Sequence, residues 1–173
     1  MSIDWKYRGR ARPAFAIEPG PGQESVWDYP RPPALVRDTR LVEVRLDGRE
    51  LAASREAVRV LETASPPTFY LPPRHVDVTA LARTAGATHC EWKGDATYWT
   101  SSTHPELGAV AWSYEDPTHA FASLRGYLSF YPAVAECYVA GERVRPQPGE
   151  YYGGWVTDEI VGPFKGEPGT RGW

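Results

Sequence analysis

LVEVRLDGRELAA, residues 41–53, is the stretch of sequence that decides the fold. Between residues 42 and 46, apolar and charged side chains alternate, which is the period of a β-strand with one buried face. Asp47-Gly48 follows, a pair that favours a two-residue hairpin turn with positive φ. The residues after the turn, 49–53, predict the returning strand. This segment is therefore expected to form a β-hairpin.

Further strands are predicted along the chain. Ala96-Thr-Tyr-Trp-Thr100 and Ala109-Val-Ala-Trp-Ser-Tyr114 are both rich in β-formers, and the two are expected to pair. In the second strand the bulky residues fall on one face and the small residues on the other. A second hairpin is predicted from residues 134–139 and 142–145, around a turn at Ala140-Gly141.

Capping residues and apolar spacing also predict three short helices. The first spans residues 55–63 after a cap at Ser54, and the second runs from Asp77 to Leu81. The third begins at Thr118, with Phe121, Leu124 and Leu128 facing inward, and Pro132 ends it.

The composition favours one mainly β domain with few short helices. The chain has 16 Gly and 17 Pro, which break long helices and favour short strands joined by turns. It also has 7 Trp, 10 Tyr and 5 Phe, and disordered chains lack such rings. We therefore predict a single domain over residues 1–173, with an ordered N-terminal arm (1–39), a core (40–146) and an ordered C-terminal arm (147–173).

Charge and cysteine content exclude several classes of protein. The net charge is −3, and no run of Lys and Arg forms a basic stripe, so nucleic acid is not an expected partner. No apolar run approaches the ~20 residues that span a membrane, and the N-terminus does not resemble a signal peptide. A cytoplasmic location is expected. The two cysteines are then reduced, and neither a metal nor a cofactor is expected.

Cys90 and Lys93 are the strongest candidates for chemistry. They lie on one loop-to-strand transition before Gly94, where side chains can converge on a cleft. A cation beside the thiol would favour the thiolate, which is the nucleophile. The alternative is structural, with a buried apolar cysteine and a lysine paired with Glu62 or Asp77.

Four aromatic side chains could line a pocket for a planar or cyclic ligand, because such rings combine an apolar face with a polar tip. They are Tyr70, Tyr98, Trp112 and Tyr114. The alternative is that they form the core of a small β domain.

Other constellations carry less chemistry. His89 and Cys90 are adjacent on an extended segment and point to opposite faces, so they cannot easily share a metal ion. The strained turn of serine hydrolases, Gly-x-Ser-x-Gly, is absent. The Gly-rich stretch 162–170 does not match a phosphate loop and is interpreted as an arm whose Phe164 and Trp173 dock on the core.

The chain resembles a known family, the domain of unknown function 427, over residues 25–173. The resemblance depends on short motifs spread along the chain: Glu24-Ser-Val-Trp-Asp-Tyr-Pro30, Leu61-Glu-Thr63 with Pro66-Pro67, Tyr70-Leu-Pro72 with Asp77, Cys90, Trp92-Lys-Gly94, Ala96, Tyr98-Trp99, Ala111-Trp-Ser-Tyr114 and Phe130-Tyr131. Gly153-Gly-Trp155, Gly162-Pro-Phe-Lys-Gly166 and Pro168-Gly-Thr170 resemble the longer, actinobacterial-type members. Glu91 departs from the family pattern, in which Pro often follows the cysteine.

The resemblance implies a fold and no reaction. It implies a β-tent-like topology of short antiparallel strands. Many β-tents hold zinc with two Cys-x-x-Cys pairs, which this sequence lacks, so zinc is not carried over. The family has also been labelled a nucleotidyltransferase, but the aspartate pair and Gly-Ser lead-in of such enzymes are absent here.

Three functions remain open from the sequence. The leading hypothesis is a small-molecule-binding β domain, with an aromatic cleft around Lys93. A Cys- or Lys-dependent enzyme acting on a small substrate, with a nucleotide among the candidates, is the first alternative. A structural or interaction protein is the second.

Overall fold

The computed structural model describes residues 5–173, so the first four residues of the predicted N-terminal arm lie outside it. The described chain is mainly β, as the sequence predicts, and its helical segments are short 3-10 turns. No helix in this part of the chain is long and apolar enough to cross a membrane.

Within residues 5–173, fifteen short strands build five sheets. In chain order the strands are β1 Glu24–Ser25, β2 Ala34–Asp38, β3 Val42–Leu46, β4 Arg49–Ser54, β5 Ala57–Leu61, β6 Thr68–Tyr70, β7 Leu81–Cys90, β8 Gly94–Ser101, β9 Ala109–Ser113, β10 Leu128–Phe130, β11 Glu136–Val139, β12 Glu142–Arg143, β13 Arg145–Pro146, β14 Trp155–Val156 and β15 Ile160–Val161.

Three of these sheets are larger, and all three are antiparallel. Their strand orders are β10-β9-β8-β7, β12-β11-β3-β4 and β2-β5-β6. Two-stranded ladders join β13 to β14 in antiparallel and β1 to β15 in parallel. The parallel ladder brings β1, near the N-terminus, beside β15, near the C-terminus. Parallel strands need a long connection, and here most of the chain lies between them.

The predicted hairpin at residues 41–53 is confirmed. Strand β3 pairs with β4, and Val42 and Val44 are fully buried. Asp47 and Gly48 adopt positive φ angles of 49° and 77°, which is the twist that a two-residue hairpin requires. The predicted pairing of the strands at 96–100 and 109–114 is also confirmed, as β8 and β9.

The predicted helix at residues 55–63 is wrong, because this segment contains strand β5. Ser54 does accept a hydrogen bond from the backbone of Glu56, as a cap would. However, Val58 and Val60 are β-branched, and β5 lies between β2 and β6. Pairing on both sides satisfies the backbone of β5 and overrides a weak helical pattern.

The other two predicted helices are shorter than expected. Asp77 caps a 3-10 turn of only three residues, Val78–Ala80, and the chain then enters β7. Thr118 precedes the 3-10 segment His119–Leu124, and Leu128 belongs to β10. The remaining 3-10 turns are Val26–Asp28, Pro73–His75 and Pro105–Leu107.

The two ends of the chain pack on each other. Trp27 lies within 5.1–5.2 Å, between ring centroids, of Tyr7, Phe15 and Trp173. The sequence predicts that Trp173 docks on the core, and its ring lies instead against Phe15 and Trp27 of the N-terminal segment. Strand β2 lies inside the predicted N-terminal arm, and β14 and β15 lie inside the predicted C-terminal arm.

Trp155 joins the core to the C-terminal segment (residues 147–173). Its side chain is fully buried and stacks on Phe69 at 4.9 Å between ring centroids. Its indole N–H donates a 2.9 Å hydrogen bond to the carbonyl oxygen of Phe130 on β10. One side chain therefore contacts strands of two different sheets.

We expect Trp155→Ala to lower the free energy of unfolding by about 3–5 kcal/mol, because it removes a large buried ring and leaves a cavity. Denaturant unfolding followed by circular dichroism measures this change. Tyr151→Ala is the control, since that side chain is 69% exposed and should change stability by less than about 0.5 kcal/mol. Equal effects of the two substitutions would contradict the assignment of Trp155 to the core.

Candidate functional site

A cavity of about 360 Å³ opens between the β7–β8 turn, strands β5, β6 and β9, and the C-terminal segment. Its volume lies in the range of small-molecule sites. The six residues predicted from the sequence all line it: Tyr70, Cys90, Lys93, Tyr98, Trp112 and Tyr114. Ligand binding by these residues stays a prediction.

The tight turn between β7 and β8 positions Lys93. Cys90 pairs with Gly94 across the turn, and Gly94 has a φ of 97°, which favours glycine. Thr118 holds the turn from the other side. Its backbone N–H donates to the carbonyl of Lys93 at 3.1 Å, and its hydroxyl donates to the carbonyl of Trp92 at 2.6 Å. The turn therefore directs Lys93 inward, where only 8% of the residue is exposed.

The amine of Lys93 has no carboxylate within salt-bridge distance among residues 5–173. Its Nζ lies 5.6 Å from the ring centre of Tyr114 and 6.0 Å from that of Phe121, which is the range of cation–π contacts. The predicted alternative, a pair with Glu62 or Asp77, is wrong. Those carboxylates pair with Arg31 and Arg49 instead.

Lys93 carries a positive charge at neutral pH. Burial acts to lower the pKa of Lys93. Interactions with Tyr70, Cys90 and Glu62 outweigh burial, so the pKa of the amine is raised above its usual value. A protonated amine cannot act as a nucleophile, but it binds anions well.

The aromatic walls of the cavity also belong to the packed interior. Tyr70, Trp112 and Tyr114 are each more than nine-tenths buried. The indole N–H of Trp112 donates a 3.0 Å hydrogen bond to the hydroxyl of Tyr70. Burial raises the pKa of the Tyr70 and Tyr114 hydroxyls, so both stay protonated. The sequence left two alternatives for these rings, the core or the wall of a pocket. In the structure the three rings belong to the core and also line the cavity.

Tyr98 and Cys90 are more accessible than the other predicted site residues. Tyr98 is half-buried and shares a 2.7 Å hydrogen bond with Thr88. Cys90 is partly exposed, whereas Cys137 is fully buried. Burial raises the pKa of Cys137, so that thiol is unreactive.

The C-terminal segment supplies a wall that sequence reasoning missed. Gly153 packs against the ring of Trp112, and a Cβ atom at Gly153 would lie 2.6 Å from Cζ3 of that ring. Gln147 bridges the segment, accepting a hydrogen bond from the backbone of Gly154 and donating one to the carbonyl of Lys165. The Gly153-Gly154 pair was the available signal, because adjacent glycines permit a close backbone approach.

Lys165 is the second buried amine of the cavity and was not predicted. It is 7% exposed, and its Nζ lies 4.6 Å from the ring centre of Trp5. The Nζ donates a 3.2 Å hydrogen bond to the main-chain oxygen of Trp173. Burial, followed by the positive charge of Arg31, lowers the pKa of Lys165.

The comparison with protein families matches one, described as a domain of unknown function (DUF427), over residues 34–141 of the 173. This chain belongs to the DUF427 family. The match runs from β2 to the turn after β11 and contains all six predicted site residues. Gly153 and Lys165 lie beyond it. No curated protein matches this DUF427 chain.

Mutation of Gly153 tests whether the C-terminal segment packs on Trp112 in this DUF427 protein. We expect Gly153→Ala to lower the free energy of unfolding by about 1–3 kcal/mol, because the added methyl group must displace a packed ring. Thermal or denaturant unfolding measures the change. Gly86→Ala on β7 is the matched control, since no atom lies within 4 Å of its added Cβ. A neutral Gly153→Ala would mean that the segment does not pack on Trp112.

Proposed function

We propose that this protein binds a small molecule in the cavity, and that Lys93 binds an anionic group of that molecule. One observation supports this most directly. Lys93 is a buried cation that lines the cavity, and no carboxylate in the described chain pairs with it.

The cost of burial supports the same proposal. Removing an ammonium ion from water costs several kcal/mol unless a partner compensates it. The rings of Tyr114 and Phe121 offset part of that cost. An anion in the cavity would offset much more, because charge-assisted hydrogen bonds are the stronger kind. The flat walls, built from Tyr70 and Trp112, suit a ligand with a planar ring.

Lys93→Gln tests this proposal, because it removes the charge and keeps a polar side chain that is only slightly shorter. A panel of aromatic carboxylates and nucleotides is screened by thermal shift, and hits are measured by calorimetry. We expect wild-type protein to bind at least one anionic compound, and Lys93→Gln to weaken it by roughly tenfold to a hundredfold, the usual value of a charged hydrogen bond.

Lys6→Gln is the control for that experiment. Lys6 is exposed, lies outside the cavity and should leave affinity unchanged. The proposal fails if wild-type and Lys93→Gln proteins respond alike to the whole panel.

A second candidate function is catalysis by the thiol of Cys90. The specific observation is its position, since Cys90 is partly exposed and lines the same cavity as Lys93. A neighbouring ammonium ion would stabilise the negative charge that develops on a sulfur nucleophile during reaction. The amine of Lys93 itself is not the nucleophile in this reading, because it stays protonated.

Labelling with a thiol probe at neutral pH tests this candidate. We expect Cys90 to react and Cys137 to stay unlabelled in the folded protein, because Cys137 is fully buried. Lys93→Gln should slow the reaction of Cys90 several-fold, and Lys6→Gln should not. Peptide mass spectrometry distinguishes the two thiols. A Cys90 that reacts no faster than a free thiol, in both the wild type and Lys93→Gln, counts against nucleophilic catalysis.

A further inference from the structure

We infer that the ligand of this cavity is a flat molecule with two anionic groups, one bound by Lys93 and the other by Lys165. The inference rests on the proposed function, because it specifies the chemistry of the molecule that binds there.

The distribution of lysine is the first observation. The chain has only three lysines among 19 basic residues, namely Lys6, Lys93 and Lys165. Lys93 and Lys165 are 8% and 7% exposed, and both line the same cavity. Lysine is rarely buried without a partner. Because two of the three lysines are buried in the same cavity, the burial of this pair indicates a function.

The charge of the lining is the second observation. The basic side chains of the lining are Lys93, Lys165 and Arg171, and the acidic ones are Glu62 and Glu91. Glu62 is already paired with Arg31, at 3.1 Å. Among residues 5–173, Lys93, Lys165 and Arg171 then face Glu91 as the one lining carboxylate without a salt bridge, in a chain whose net charge is −3. A local positive field in an acidic protein favours an anion with more than one charge.

The surroundings of Lys165 are costly for a cation. Besides the main-chain oxygen of Trp173, the amine contacts the rings of Trp5 and Tyr152. No Asp or Glu side chain of residues 5–173 forms a salt bridge with it. Burial and the charge of Arg31 both disfavour its protonated form. An anionic ligand group would relieve both costs.

The two amines occupy different parts of the cavity. Lys93 extends from the β7–β8 turn and lies over Tyr114 and Phe121. Lys165 extends from the C-terminal segment and lies over Trp5 and Tyr152. They share no ring, so each amine lies against a different part of the aromatic lining. A planar ring with an anionic group at each end would give each amine one anionic partner while the ring lies along the aromatic walls.

The experiment compares dianions with monoanions that have the same ring. The probes are terephthalate against benzoate, and the linear naphthalene and biphenyl dicarboxylates against their monoacids, so that several spans are covered. Calorimetry measures each with wild-type protein. We expect at least one dianion to bind about tenfold or more tightly than its monoacid, the value of one further charged contact.

Variants assign the second contact. Lys165→Gln and Lys165→Met should reduce the affinity of that dianion to the level of its monoacid, while the affinity of the monoacid stays unchanged. Lys93→Gln should weaken both compounds, and Lys6→Gln neither. Two substitutions at position 165 guard against a variant that fails to fold. The wild-type comparison needs no variant at all.

Two results would overturn the inference. If no dianion binds more tightly than its monoacid, while the monoacids still depend on Lys93, the second contact is wrong and the proposed function stands. If wild-type protein binds none of these compounds, both the inference and the anion-binding function fall.

Discussion

Keeping the ammonium group of Lys93 out of water is the constraint on which the rest of this structure depends. A buried charge is costly, so the residues around it must be held firmly in place. Thr118 fixes the turn that carries Lys93 by two hydrogen bonds. Tyr70 and Trp112 form a hydrogen bond with each other, and both are buried in the core. The same rings therefore stabilise the fold and shape the cavity, which limits how much either can change without the other.

Apart from Trp5, the cavity is assembled from two parts of the chain. The part of the chain that matches the DUF427 family supplies Lys93, Cys90 and the aromatic walls. The C-terminal segment supplies the opposite wall, through Gly153 and Lys165. Trp155 fastens that segment to the core. If members of the family differ in the C-terminal segment, the wall built by Lys93, Cys90 and the aromatic residues stays the same. The wall built by the C-terminal segment then varies, which would change the ligand and preserve the fold.

Local signals predicted the parts of the structure that local chemistry controls. The hairpin at residues 41–53 follows from strand period and from Asp47-Gly48, and both act within a few residues. The helix predicted at 55–63 is wrong because β5 is stabilised by β2 and β6, and that pairing is invisible to a short window. Cys90 and Lys93 share one turn, so their common orientation could be inferred. Lys165 reaches the same cavity only through the folded C-terminal segment, and no spacing in the sequence indicates that contact.

The origin of the two walls has a consequence for synthesis. Chains emerge from the ribosome with the N-terminus first, and domains fold as their contacts become available. The turn with Lys93 is complete long before residue 165 is made. Until residues 147–173 are made, nothing from that segment covers the aromatic residues around Lys93, and they form an open groove. Both walls are present only once residue 165 has been made, and an occupant that contacts both walls would then favour the fully folded chain by mass action.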